Sequence, residues 1–192
     1  RFKYKWDWNY LSGNESLPWS ESLIERFADE WNWKELSQNE SLPWSEAFIE
    51  RYEDKWEWSN AFHSGLSHNG ALPWSEAFIE RYKDRWGWES LSGNKSLPWS
   101  EAFIERYKDK WEWGWLSHNE SLSIPWSEEL IERYKDKWDW EGLSSTVSLP
   151  WSEAFIERYK DKWDWGEWEG VSEQAHFGLS GNKSLPWSEA FI

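Results

Sequence analysis

Apolar and polar positions along this chain fall into a pattern that repeats. In the second copy Trp44, Phe48, Tyr52 and Trp56 recur at every fourth position, with Ala47 filling i+3. That spacing is one face of a helix. A proline precedes this segment in every copy, where proline fits a first helical turn. No glycine lies between Pro-Trp and the following Trp-x-Trp; glycine gathers around LSGN instead, where a helix has to end. The pattern predicts a helix A over roughly Pro43 to Asp54, with its N-cap near Ser41 or Leu42. It predicts a shorter helix B over roughly Lys55 to Ser67 in this copy and Trp31 to Ser37 in the one before. The Asn of LSxN (Asn14, Asn39, Asn69, Asn94, Asn119, Asn182) suits a left-handed turn closing helix B, and Thr146, which replaces it once, predicts a less tight turn. Trp-x-Trp alternation also fits a short strand, but no alternation runs past four residues.

The copies are explicit. Pro-Trp occurs seven times, with Trp at 19, 44, 74, 99, 126, 151 and 187. Trp-x-Trp recurs at the repeat position seven times, from Trp6/Trp8 to Trp163/Trp165. The basic period is 25 residues, with insertions of 5, 2 and 11. They fall at about 59–65, 123–124 and 166–178, whereas SEAFIERYKDKW is never interrupted. Uninterrupted segments read as packed elements and tolerant ones as surface loops. The expected fold class is all-α. The expected architecture is an α-solenoid of about seven helix-turn-helix repeats forming one array over 1–192, with units beginning near Pro18, Pro43, Pro73, Pro98, Pro125, Pro150 and Pro186. Helices this short are unstable alone in water and must bury their aromatic faces against the next copy. The Ser, Asn and carboxylate groups beside each Trp are the expected acceptors for the indole N–H groups. The array begins at Arg1 and stops at Ile192 in mid-motif, which predicts either a longer parent chain or head-to-tail completion of one copy by another.

Composition sharpens this picture. Thr occurs once and Val twice, too few β-branched residues for a β-solenoid. With no Cys there is no disulfide framework and no thiolate site. The formal charge of −15 opposes binding to nucleic-acid backbones and anionic membranes, and no apolar run is long enough for a membrane span.

The residues WxWxxLSxN followed by LPWSxxFI resemble short tryptophan-rich tandem-repeat arrays of hypothetical bacterial and giant-virus proteins. Those arrays carry WxW, then IS or LS, then N, then a Trp-led helix. The resemblance covers the chain outside the insertions. It implies a helical repeat array and brings no known activity or site residue. A proline before the helix-leading Trp distinguishes this chain from the viral version.

Candidate chemistry is sparse. Glu46, Glu50, Asp54 and Glu57 recur in some form in each repeat, which reads as a solvated face with local pairs such as Glu105 with Lys108 rather than as a unique acid–base pair. His63 and His176 lie in insertions, and no metal-ligand spacing or phosphate loop occurs. The N-x-S sequons at Asn14, Asn39, Asn94, Asn119 and Asn182 arise where a helix stop meets a helix start. Two tryptophans, Trp115 and Trp168, stand outside the repeat positions and are candidate contacts, together with Phe62, His63, His176 and Phe177 in the insertions. The sequence therefore points to a non-catalytic scaffold for protein partners or self-association, without cofactor. A carbohydrate-binding module using exposed Trp stands as the alternative.

Overall fold

The computed structural model describes residues 3–59, 64–166 and 178–189. Among them are twelve short α-helices, a 3-10 turn at Lys3–Lys5, and no strand. The chain is all-helical and falls into two compact units, Arg1–Pro98 and Trp99–Ile192. The first holds α1 (Trp8–Ser12), α2 (Glu21–Arg26), α3 (Trp33–Gln38), α4 (Glu46–Arg51), α5 (Glu76–Arg81) and α6 (Trp88–Gly93). The second holds α7 (Glu101–Arg106), α8 (Trp113–Ser117), α9 (Glu128–Arg133), α10 (Trp140–Ser145), α11 (Glu153–Arg158) and α12 (Gly178–Gly181). Two kinds of helix recur: one comes after Pro-Trp-Ser, the other begins at the second Trp of Trp-x-Trp.

Helix A is shorter than the periodicity predicts. It spans α4 alone in the second copy, and its N-cap is Ser45, not Ser41 or Leu42. The Ser45 hydroxyl accepts from the Phe48 N–H at 3.1 Å, satisfying one orphan donor of the first turn. Pro43 lies outside the helix, because the Trp44 N–H closes back on Leu42 O at 2.8 Å in a three-residue turn around the proline. Beyond Arg51 the helix loosens into three-residue steps, Glu53 N–H to Glu50 O and Lys55 N–H to Tyr52 O. The predicted aromatic face survives this shortening. Trp44, Phe48, Tyr52 and Trp56 form one cluster, closed by Trp44 on Trp56 at 5.1 Å between centroids. Phe48 and Ile49 are fully buried.

Helix B forms as α3 in the first interval but not over 55–67, where the described residues are not helical. The five-residue insertion interrupts the helix yet preserves its hydrogen bonds. The Leu66 N–H donates to Glu57 O at 2.9 Å, as the Leu36 N–H donates to Asn32 O at 3.0 Å in the uninterrupted copy. The longer insertion does the same, with Leu179 N–H on Asp164 O at 2.8 Å. Gly65 makes the return possible: its φ is +95°, and a Cβ there would stand 2.5 Å from Glu57 O.

The Asn of LSxN is not left-handed. Asn39 has φ −76° and ψ 109°, an extended residue. Its side chain replaces the expected turn: Oδ1 accepts from the Ser41 N–H at 3.0 Å, and Nδ2 donates to Ser12 O of the preceding copy at 3.0 Å. Asn69, Asn94 and Asn182 reach back in the same way to Ser37, Ser67 and Ser144. Thr146 does not loosen the turn. Its φ of −72° and ψ of 117° match the Asn positions, and its hydroxyl donates to Ser117 O at 3.2 Å.

The Ser of LSxN is the second half of this stitch. Ser37 is fully buried; its hydroxyl donates to Trp33 O at 2.7 Å and accepts from the Glu57 N–H of the next copy at 3.0 Å. Ser12, Ser67, Ser117 and Ser144 bond the next copy identically through Asn32, Gly87, Asp139 and Asp164.

Indole N–H groups donate to backbone carbonyls rather than to side chains. The Trp of Pro-Trp reaches the Asn five residues back (Trp44 to Asn39 O, 3.0 Å), the first Trp of Trp-x-Trp reaches the Ile seven back (Trp56 to Ile49 O, 3.0 Å), and the second reaches five back (Trp58 to Glu53 O, 3.1 Å). A large ring is thereby buried without an orphan donor. Trp126 and Trp138, whose tilted rings meet at 5.3 Å, break the rule: both Nε1 atoms are buried without a partner. For Trp126 the cause is register, because the two extra residues before Pro125 move Asn119 to seven positions back.

Candidate functional site

The repeat interface consumes the recurring chemistry of the motif. Within each unit the second Trp of Trp-x-Trp packs on the following copy: Trp33 lies 4.9 Å from Tyr52 and 4.7 Å from Trp56, and Trp140 lies 4.9 Å from Tyr159 and 4.7 Å from Trp163. A cation covers the ring as well, Lys55 over Trp33 at 5.2 Å and Lys162 over Trp140 at 5.3 Å. The same cations pair with the preceding copy's acid, Lys55 with Asp29 at 3.8 Å and Lys162 with Asp136 at 3.5 Å. A second ladder joins the last-turn Arg of one helix A to the first-turn Glu of the previous one: Arg51 with Glu21 at 2.7 Å, Arg81 with Glu46 at 3.0 Å and Arg158 with Glu128 at 2.7 Å.

The recurring carboxylates are thus structural partners. Lys108 donates to Glu105 at 2.7 Å, the local pair expected from the sequence. The Lys108 bond, and behind it the Tyr134 hydroxyl, hold the Glu105 carboxyl below its usual range; Lys135 and Tyr159 do the same for Glu132. Burial, then the bond to the carboxylate, pushes the Tyr134 and Tyr159 phenols up to about 12. Among the described residues no group of three His, Asp or Glu is arranged to hold a metal ion. Nor is any described helix long and apolar enough to cross a membrane.

Of the six candidate contact residues, Trp115 lies in α8 and is 45 % exposed. It occupies the position before Leu-Ser that Tyr10, Glu35, Ser90 and Gly142 hold in other copies. Trp168, Phe62, His63, His176 and Phe177 lie outside the described residues. His118 packs over Gly142, where a Cβ would stand 2.5 Å from its ring nitrogen, and bonds Gly114 O at 3.0 Å. The sequon asparagines Asn39, Asn94 and Asn182 are buried with Nδ2 engaged by the preceding copy, so their amides are not open to modification in the folded chain.

Two concavities stand out. An apolar groove of about 680 Å³ is lined mainly by Trp6, Trp8, Leu23, Phe27 and Trp31. A shallower depression of about 580 Å³ is bounded by Glu128, Glu129, Glu132, Arg133 and Arg158, the ion-ladder residues themselves. Trp115 lines neither.

Sequence reasoning missed the Ser–Asn stitch. The signal was present: Leu-Ser recurs unchanged in all seven copies, while the residue after it varies among Gly, Gln, His and Ser. No protein-family model, curated protein or solved structure matches the chain.

Proposed function

We propose that the chain is a non-catalytic scaffold, an α-solenoid of helix-turn-helix repeats that presents protein-binding or self-assembly surfaces. One observation carries this reading. The residues that recur (the Trp rings, Leu-Ser, Asn and the paired charges) are spent on joining one copy to the next. What is left to recognise a partner is the variable position before Leu-Ser in helix B and the insertions. Kinship with the tryptophan-rich arrays that the motif resembles is part of the same proposal. In a solenoid each copy contacts only its neighbours, so stability is roughly additive over copies. Excising one period, Trp19 to Pro43, should leave a cooperative helical fold of reduced stability. Complete loss of helical circular dichroism would count against the solenoid. Replacing each insertion by the uninterrupted helix B sequence should then abolish capture of a partner from the native source, without unfolding the chain.

The exposed Trp115 favours one second reading, a carbohydrate contact. Affinity electrophoresis in gels containing soluble polysaccharides decides it: retardation abolished by Trp115→Ala supports sugar binding, and unretarded migration in every gel sinks it.

A further inference from the structure

Between Trp31 and Lys162 the described residues expose three large apolar side chains, Trp115, Leu122 and Val147. A single exposed apolar residue is ordinary on any protein surface. These three differ because each departs from the repeat. Trp115 stands where Glu35, Ser90 and Gly142 stand in other copies. Val147, 55 % exposed, follows the place of the LSxN asparagine, where Glu40, Gly70, Lys95 and Glu120 stand elsewhere. Leu122 is kept out of the core by Ile124, which fills the buried place of the usual Leu.

All three border one stretch of the second unit, where α8 packs beside α10. The Thr146 hydroxyl donates to Ser117 O at 3.2 Å, and the Asp139 N–H donates to the Ser117 hydroxyl at 3.0 Å. His118 rests over Gly142, with Nδ1 3.6 Å from the Asp139 carboxylate. The Thr146 bond brings Val147, the next residue, to the end of α8 that carries Trp115. In the first unit the residue after one such asparagine reaches its counterpart in the following copy, Glu40 accepting from the Gly70 N–H at 3.1 Å. Glu120 and Val147 hold those two positions, which sets Val147 beside the loop where Leu122 is exposed.

Charge decides what fits there. Over 112–124 and 139–149 the acidic side chains are Glu112, Glu120, Asp139 and Glu141, and there is no Lys or Arg. Lys34 and Lys95 give the same stretch a cation in other copies. A second copy of this chain, at a formal charge of −15, is repelled from such a face. A sugar would stack on Trp115 but has no use for aliphatic side chains at Leu122 and Val147. Apolar anchors set among charges of one sign fit a polypeptide that interleaves apolar side chains with Lys or Arg.

We propose that the α8–α10 face is a docking surface for a basic amphipathic polypeptide segment, anchored on Trp115 and flanked by Leu122 and Val147. This rests on the scaffold reading and names the chemistry of its partner.

Fluorescence anisotropy tests it, with the full chain titrated into a labelled amphipathic peptide of Leu and Lys at about 0.15 M salt, where charges beyond roughly 8 Å are screened. The wild type should bind this peptide and leave a peptide of Leu and Glu in the same order unbound. Trp115→Ser should weaken binding at least about tenfold, as for loss of a central anchor, and Leu122→Ser and Val147→Ser about threefold each. Ala47→Ser, at an exposed position of the first unit, should change nothing. Far-UV spectra check each variant; should Trp115→Ser lose helix, Leu122→Ser combined with Val147→Ser takes its place with the same tenfold expectation. A wild type that binds no Leu and Lys peptide overturns the proposal. So does equal binding by wild type and the apolar variants, which would leave net charge alone holding the peptide. Retardation in polysaccharide gels that needs Trp115, without peptide binding, gives the surface to a sugar and overturns it too. Capture of a native partner that survives all three serine substitutions but is lost when the insertions are replaced removes this surface and leaves the scaffold reading standing.

Discussion

At the scale of single residues the fold depends on a hydroxyl that residue type alone assigns to a turn. Ser37 donates to Trp33 O and accepts from the Glu57 N–H while fully buried, so its loss strands a donor and an acceptor in one step. Ser37→Ala should therefore lower stability by about 1–3 kcal/mol, far more than the loss of a surface hydroxyl. The exposed Ser41→Ala should stay within about 0.5 kcal/mol of wild type. Equal shifts of the two urea midpoints would remove the stitch from this account. Part of the core was legible from spacing: Phe48 and Trp56 are buried on the four-residue aromatic period, whereas Leu36 and Ile49, buried as completely, lie off it. The acceptors of the indole groups were not legible. A backbone carbonyl carries no residue identity, so a sequence shows only the side chains that could compete for the same donor.

At the scale of elements, position along the repeat decides what a helix can be. The aromatic period crosses helix, turn and loop alike, which is why it overstates the length of helix A. Boundaries are set instead by Pro43, which turns the chain on itself, and by Ser45, which caps α4. The same registration explains the orphaned indole of Trp126. It lost Asn119 O when two residues entered before Pro125, and Leu122 was left 87 % exposed. Ile124 already fills the buried place of the usual Leu. Deleting Leu122 and Ser123 should return Asn119 to five residues before the Trp and raise stability by about 1 kcal/mol, the worth of one recovered hydrogen bond. A lower denaturation midpoint in the deletion variant would mean the insertion is packed for its own sake. The Tyr–carboxylate links between successive A helices give a second test. Their folded phenols sit at about 12, above the ordinary 10.0, so the folded state favours the protonated form. That contribution is whole below pH 10 and is lost as pH rises toward 12. Absorbance titration should show late-ionising tyrosines, and Tyr134→Phe with Tyr159→Phe should remove them and flatten the alkaline loss of stability. Phenols that all titrate near 10 would remove the links from the energetics.

At the scale of the whole molecule, a formal charge of −15 sets the terms on which copies can meet. Within each unit the ladders keep unlike charges adjacent, so the excess negative charge is felt mainly between molecules. Self-association, one arm of the proposed scaffold role, has to work against a repulsion summed over the whole excess. An exposed ion pair contributes about 0–1 kcal/mol, so it does not offset that repulsion at low salt. Raising ionic strength from about 0.01 M to about 1 M shortens the screening length from roughly 30 Å to roughly 3 Å. The long-range repulsion is then removed almost entirely, while ring contact at van der Waals distance is untouched. Association measured by sedimentation should accordingly strengthen with salt, and strengthen again as pH is lowered toward the isoelectric point near 4.7. Association that weakens steadily with salt would show that unlike charges, and not apolar contact, bring the molecules together.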